Sequence, residues 1–295
     1  MAFPLIFTKT ASRFFCLGLL LAFFVVNSDM FGRAPHLQTI AIAAVTEQST
    51  AHMPLRVMSW NAFFLNKQPA AFRQTVAELQ PDLIAIQELG HKLADDIAVN
   101  LRASYPYMQL FPTGTPAGMA LLSRYPIVTT TPPDFAEATG CNCQLAVVDV
   151  AGRQITIINT HPWPPEADYS DGIPWSKMLT MDTSNQDLIF DQLLAQIDQT
   201  ASPLLVMGDL NTMPFQANVQ RLTNRLTDTF DEVGSGIGNT FPLDGTAYHL
   251  PSIPLIRIDY IFHDAAWQAQ SAWVGDIAGS DHRYVVADLM LTAAN

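Results

Sequence analysis

Twice along this chain a helical stretch is cut by a proline and followed by a short apolar run that ends on an acid. Residues 69–80 place Ala71, Phe72, Val76 and Leu79 at helical spacing, Pro81 ends the helix, and Asp82-Leu-Ile-Ala-Ile-Gln87 runs into Glu88. Residues 183–199 read as the second helix, Pro203 punctuates, and Leu204-Leu-Val-Met-Gly208 runs into Asp209. Short apolar runs without polar alternation read as strands covered on both faces. Strands of that kind belong to a layered α/β fold, and polar groups gathered at their ends are placed for chemistry.

Further strand-like runs occupy 55–60, 117–123, 144–150, 153–160, 257–263, 267–274 and 284–291. Strands outnumber helices and turn signals separate many of them, so two packed sheets with outer helices fit better than one doubly wound sheet. There is no low-complexity tract and no repeat of 20–50 residues. We assign residues 55–295 to one catalytic domain and 29–54 to a linker.

Residues 1–28 read as a signal peptide or a membrane anchor. Lys9 and Arg13 precede the thirteen-residue apolar run Phe14–Val26. As a helix that run spans roughly 20 Å, short of the roughly 30 Å hydrocarbon core, and it has the size of a signal-peptide core behind a positive flank. Either way the domain is expected outside the cytoplasm, secreted, periplasmic or tethered to the membrane. Of three cysteines, Cys16 lies in the apolar run, and Cys141 and Cys143 read as two residues on one strand face rather than a tight disulfide.

Composition narrows the partners. A 49% hydrophobic, 14% charged chain is globular, and its net charge of −12 comes from 15 basic and 27 acidic residues. No Lys/Arg-rich stripe offers a broad grip on a nucleic-acid backbone, although a bound metal can reverse the field locally.

The polar residues beside the strands form an ordered set. Asn61 ends the first strand and Glu88 the second; taken alone they read as a turn residue and a solvated acid. Gly208-Asp209-Leu210-Asn211-Thr212 is more specific, because a carboxylate and an amide two positions apart can face the same way. One can orient or deprotonate a water while the other donates to a phosphate oxygen. Asp259 lies in an otherwise apolar strand, Arg257-Ile-Asp-Tyr-Ile-Phe262, where burial without a partner is costly. An imidazole such as His282 satisfies it and fixes the tautomer; pairing with Arg257 is the alternative. Asp281 beside His282 is a third candidate ligand after Asn61 and Glu88, and His161 closes the strand Ile155–Thr160. The stiff loop after it carries Trp163, Tyr169 and Trp175, which can cover the site, touch a bilayer or simply pack on the surface. His36, His52, His91, His249 and His263 have no motif around them.

In the order Asn61, Glu88, His161, Asp209/Asn211, Asp259, Asp281/His282, the segments SWNAFF, PDLIAIQEL, GMALLSRYPI, INTHP, VMGDLNTMP, RIDYIF and GSDHRYVVADL resemble the endonuclease/exonuclease/phosphatase (deoxyribonuclease-I-like) superfamily. The likeness spans about residues 55–291, and the leader makes it similar to an exported or membrane-anchored bacterial branch. The resemblance implies a four-layer α/β sandwich, two packed mixed sheets flanked by helices. It implies Mg²⁺, with Mn²⁺ as a substitute, held chiefly by Glu88 with Asn61 and Asp281 nearby. Asp209, Asn211, Asp259, His161 and His282 then serve catalysis, with Asn211, His161 and Trp163 toward the substrate. That substrate is a phosphate ester, most simply a phosphodiester, of a lipid, a nucleic acid or a small molecule; no protein partner is evident. The competing readings are a non-specific exported nuclease and a membrane-tethered binding protein with a vestigial site.

Overall fold

The computed structural model describes residues 53–133, 141–165, 182–243 and 253–292. The leader over 1–28, the linker up to residue 52, and Tyr169 and Trp175 lie outside the described residues. Among the described residues no helix is long and apolar enough to cross a membrane. One compact unit, residues 47–234 with 238–295, carries both sheets and the site.

The chain runs β1 (Met53–Asn61), α1 (Pro69–Leu79), β2 (Leu83–Gln87), α2 (His91–Asn100), β3 (Tyr107–Phe111), β4 (Met119–Ser123), β5 (Ile127–Thr131) and β6 (Cys143–Val150). It continues through β7 (Arg153–Thr160), α3 (Ser184–Gln199), β8 (Leu204–Asp209), α4 (Ala217–Thr223) and β9 (Thr227–Asp228). The last elements are α5 (Thr229–Val233), β10 (Asp259–His263), β11 (Trp267–Asp276) and β12 (Arg283–Leu291). The strands make two six-stranded sheets, ordered β11-β12-β1-β2-β4-β3 and β5-β6-β7-β8-β10-β9.

Each sheet holds one parallel pair, β1/β2 and β7/β8, among antiparallel neighbours. A parallel pair needs a crossover, and α1 and α3 supply it. Pro69 opens α1, and the chain leaves it through Gln80 in left-handed conformation (φ 51°) just before Pro81. Three apolar clusters define four layers. Val57, Leu83 and Ala85 of one sheet meet Val148, Ile157 and Leu205 of the other between the sheets. Trp60, Ile84 and Ile86 pack outward on Phe72, Val76 and Ile97 of α1 and α2. Ile158, Val206 and Phe262 pack outward on Phe190, Leu193 and Leu222 of α3 and α4. This is the mixed two-sheet sandwich that the sequence led us to expect.

Register brings the polar residues to one end. Asn61 pairs with Gln87, Thr160 with Gly208, and Asp259 with Asp209. Gly208 is required by close approach, since a Cβ there would lie 1.9 Å from the Thr160 carbonyl oxygen. Beneath the site the sheets are pinned by a buried amide bridge: Gln87 Nε2 donates to Asn159 Oδ1 (2.7 Å), and Asn159 Nδ2 donates to the carbonyls of Ile86 (3.1 Å) and Ala120 (3.0 Å).

Several features differ from expectation. β1 starts two residues earlier, at Met53. The edge strands β3 and β5 went unread because they are largely half-exposed and lack an apolar run. The short helix α2 opens behind Gly90 with no side-chain cap to mark it. The reading of Cys141 and Cys143 as unbridged is corrected, for the structure joins them in a disulfide. Strand β6 begins only at Cys143, and Asn142 is left-handed (φ 46°), which brings the two Cα atoms to 5.2 Å instead of the roughly 6.6 Å of a regular strand.

Candidate active site

Three turns at the strand ends are held in left-handed backbone by residues other than glycine: Phe63 (φ 59°), Glu88 (φ 52°) and Asn211 (φ 49°). Such conformations persist only where the surroundings enforce them. Here they turn the chain just where β1, β2 and β8 deliver Asn61, Glu88 and Asp209.

Asn61 joins the two acids. Its Nδ2 donates to Glu88 Oε1 (3.0 Å) and to Asp209 Oδ2 (2.9 Å), while its Oδ1 accepts from the Phe63 N–H (3.0 Å). Glu88 Oε2 accepts from the Phe64 N–H (3.3 Å), and Asp209 Oδ1 from the Asn211 N–H (2.8 Å). Two imidazoles then converge on Asp209 Oδ2, His161 Nε2 at 3.5 Å and His282 Nε2 at 3.7 Å. Behind His282, Nδ1 meets Asp259 Oδ2 at 2.9 Å, the pairing proposed from the sequence. His161 Nδ1 lies 3.3 Å from the Pro116 carbonyl oxygen, and its Nε2 is 3.8 Å from Glu88 Oε1.

Electrostatics follow from these contacts. Burial alone would push the His282 imidazole down, but Asp259 and Asp209 beside it hold it well above the ordinary 6.5. Burial likewise opposes a charged His161, and the carboxylates of Asp209 and Glu88 outweigh it, so its pKa also rises. Asp209 shows the converse: burial would raise it, while His282 and His161 keep it below the ordinary 3.8. Asp281 is pushed up, first by burial and then by the negative charge of Glu88 and Asp209, against the pull of His282.

Glu88, His161, Asp209, Asn211, Asp281 and His282 all line a single cleft of about 300 Å³. Trp163 stands on its wall, 36% exposed, with its ring 6.2 Å from that of His161. Asn61 and Asp259 are fully buried and act from behind the lining. Thus the structure brings together every residue picked from the sequence, in two tiers. In this arrangement the Asn61 oxygen accepts from the Phe63 amide while its nitrogen faces the two acids.

The donor set suits a hard cation. Asp209, Asp259 and His282 offer ligating atoms within 4.8 Å of one another, although the hydrogen bond from His282 Nδ1 already occupies Asp259. Glu88 and Asp281 are oxygen donors on the same cleft, and two carboxylates facing one space are a donor pair that suits a divalent cation.

Some supporting residues gave little signal. Ser280 Oγ donates to the Asn61 carbonyl (2.7 Å) and accepts from the His282 N–H (3.0 Å), tying the last motif to the first strand. Thr240 Oγ1 accepts from the N–H groups of Ile258 and Asp259. Gln186, buried on α3, donates to the carbonyls of Trp163 (3.0 Å) and Asn211 (3.3 Å). Only Ser280, inside a recognisable motif, was findable from sequence.

A family model described as Endonuclease/Exonuclease/phosphatase family matches residues 58–282. No protein of curated function matches the chain in sequence. Among solved structures, an endonuclease/exonuclease/phosphatase from Bacteroides vulgatus aligns with TM-score 0.61 at 18% identity, over 81% of this chain and 99% of its own. Sphingomyelinase C from Streptomyces griseocarneus aligns with TM-score 0.56 at 19% identity, over 80% and 99%. TDP2 from D. rerio, complexed with a single-strand DNA product, aligns with TM-score 0.61 at 16% identity, over 80% and 98%. At these identities the likeness establishes the shared fold.

Proposed function

This chain belongs to the endonuclease/exonuclease/phosphatase family, and from that premise we propose that it is a divalent-metal-dependent phosphohydrolase cleaving a phosphodiester by in-line attack of water. The observation that carries the reading is Asp209 Oδ2, ringed by Asn61 and two imidazoles in the same cleft as Glu88 and Asp281. Solved relatives in the same fold include a sphingomyelinase C and a protein holding a DNA product, both connected with phosphodiesters.

In this reading Glu88 and Asp281 would hold Mg²⁺, or Mn²⁺ in its place, and the cation would supply Lewis-acid polarisation and charge neutralisation for a phosphate. Asn61 fixes the Glu88 carboxylate. Asp209 orients the attacking water and takes up its proton, with the His282 imidazole beside it stabilising the charge. Asp259 holds His282 by Nδ1, so that Nε2 stays aimed at the reacting centre. Asn211 spends one amide hydrogen on the Pro162 carbonyl (3.0 Å) and keeps the other for a non-bridging phosphate oxygen. His161, facing the cleft, stabilises the phosphate or protonates the leaving oxygen. The disulfide at Cys141–Cys143 supports an oxidising compartment, as does the apolar leader, and we place the protein outside the cytoplasm.

The test is hydrolysis of bis(4-nitrophenyl) phosphate by the purified protein. EDTA should abolish turnover and Mg²⁺ restore it, and His282→Ala should lower kcat at least about a hundredfold. Unchanged turnover in excess EDTA and in both Asp209→Ala and His282→Ala would leave the enzymatic reading without support.

A further inference from the structure

The walls of the cleft differ in character from its floor. Against the polar floor stand Phe63, Phe64, Trp163, Met213, Phe241 and Ile256, and no lysine or arginine among the described residues lines the cleft. Of the eleven lysines and arginines among the described residues, seven arginines are paired with aspartates outside the cleft lining. Among the described residues the only basic groups on the cleft, His161 and His282, face Asp209 and are matched by its charge and by Glu88 and Asp259. Apolar character continues past the walls, since Leu65 next to Phe64 is 56% exposed and Phe215 next to the Met213 turn is 63% exposed.

A polyanion needs a cation for each phosphate it sets down, and its affinity is the sum of those contacts. Among the described residues this cleft can balance the one charge of the diester being cleaved and offers its neighbours no lysine or arginine. What it offers in quantity is apolar and aromatic surface, which rewards a substituent in proportion to the area that substituent buries. Resting on the phosphodiesterase reading above, we propose that the substrate is a singly charged phosphodiester with an apolar or aromatic substituent seated against Phe63, Trp163, Met213 and Phe241, and that nucleic acid is a poor substrate. Water adds to phosphorus, the P–O bond to the leaving group breaks, and the leaving oxygen gains a proton. The substituent can come from a soluble diester or from an amphiphile in a lipid surface.

The experiment compares, at one Mg²⁺ concentration, methyl, butyl and octyl 4-nitrophenyl phosphate, phosphatidylcholine vesicles, a supercoiled plasmid and a single-stranded oligonucleotide. Each fully buried methylene is worth about fourfold, so partial burial predicts a rise in kcat/KM of roughly tenfold from methyl to butyl. Trp163→Ala should flatten that dependence. Because no long-range attraction is involved, kcat/KM for the butyl ester should vary less than about twofold between low and high NaCl, whereas a phosphate-gripping enzyme loses orders of magnitude. Vesicle turnover alongside the soluble esters would identify a lipid surface as the source, and turnover of the soluble esters alone a free diester; either supports the proposal. A flat chain-length series, or DNA cleaved per phosphodiester as fast as the butyl ester, overturns it and leaves the phosphodiesterase reading intact. If no diester of any kind is turned over, it is that underlying reading that fails.

Discussion

The β1–α1–β2 unit of one sheet and the β7–α3–β8 unit of the other are built alike. Each is a parallel pair with a crossover helix, a proline, and an apolar strand that ends in an acid. They differ in what surrounds the acid. Glu88 keeps 14% of its side chain exposed and accepts from one amide side chain and one backbone N–H. Asp209 is 1% exposed and receives Asn61, the Asn211 N–H and two imidazoles. The same local plan therefore yields an acid open to a cation in one sheet and the hub of a buried charge network in the other. Burial is what separates the two outcomes, because a carboxylate removed from water stays charged only where donors replace the solvent.

If that division is real, conservative changes at the two acids fail in different ways. Asp209→Asn keeps the shape but removes the charge that holds both imidazoles. We expect kcat to fall by about a thousandfold while the Mg²⁺ concentration for half-maximal rate moves less than about threefold. Glu88→Gln should do the reverse, raising that Mg²⁺ concentration by roughly ten- to a hundredfold with most of kcat recovered at saturation. Steady-state kinetics over a metal titration reads both. Equal effects of the two substitutions on kcat and on metal requirement would erase the distinction between the sheets.

Both units were visible in the sequence for a physical reason. Strands β2 and β8 are covered on both faces, so nothing dilutes their apolar runs, and each stops on a conspicuous acid. The edge strands β3 and β5 carry no such signal, and the Cys141–Cys143 pairing depends on the backbone of Asn142, which composition does not encode. The site was readable as a set of residues but not as two tiers. Asn61 and Asp259 lie wholly behind the cleft and Asp281 on it, a difference decided by side-chain direction at strand ends. The apolar wall was even less readable: Phe63 with Phe64, Met213, and Phe241 come from three separate segments and meet only in the fold.

The buried network should also shape stability, and metal-free protein in EDTA isolates it. His282 is raised well above 6.5, so the stability from its pairing is complete below that value and is lost as pH rises through the higher folded-state value. Asp209 is lowered, so its contribution is present above 3.8 and fades only as pH falls through a still lower value. The melting temperature should accordingly decline on the alkaline side as His282 loses its charge, whereas the Asp209 contribution is untouched there. Asp259→Asn removes the closer of the imidazole's two buried counter-charges and leaves Asp209; a loss of about 3 kcal/mol corresponds to roughly 6–12 °C at pH 7. Scanning calorimetry between neutral and alkaline pH should show a shallower decline in this variant than in the native chain. Parallel declines would remove the pair from the account.

The smallest effect concerns how each crossover helix holds its half of the site. Helix α1 buries only Phe72 and Val76, so its grip on β2 is apolar. Helix α3 adds Gln186, whose Nε2 reaches the carbonyls of Trp163 and Asn211 and so ties two cleft segments to one helix. Among the described residues its Oε1 has no hydrogen-bond partner, so the buried amide carries a desolvation cost beside its bonds. Gln186→Leu removes that cost together with the donors, and the two nearly cancel, so the melting temperature should move by less than about 3 °C. The loosened Trp163 and Asn211 segments should instead raise KM by roughly three- to tenfold, the loss expected when groups that position substrate lose their support. A melting shift much larger than this with an unchanged KM would make Gln186 a packing residue and leave the two helices equivalent.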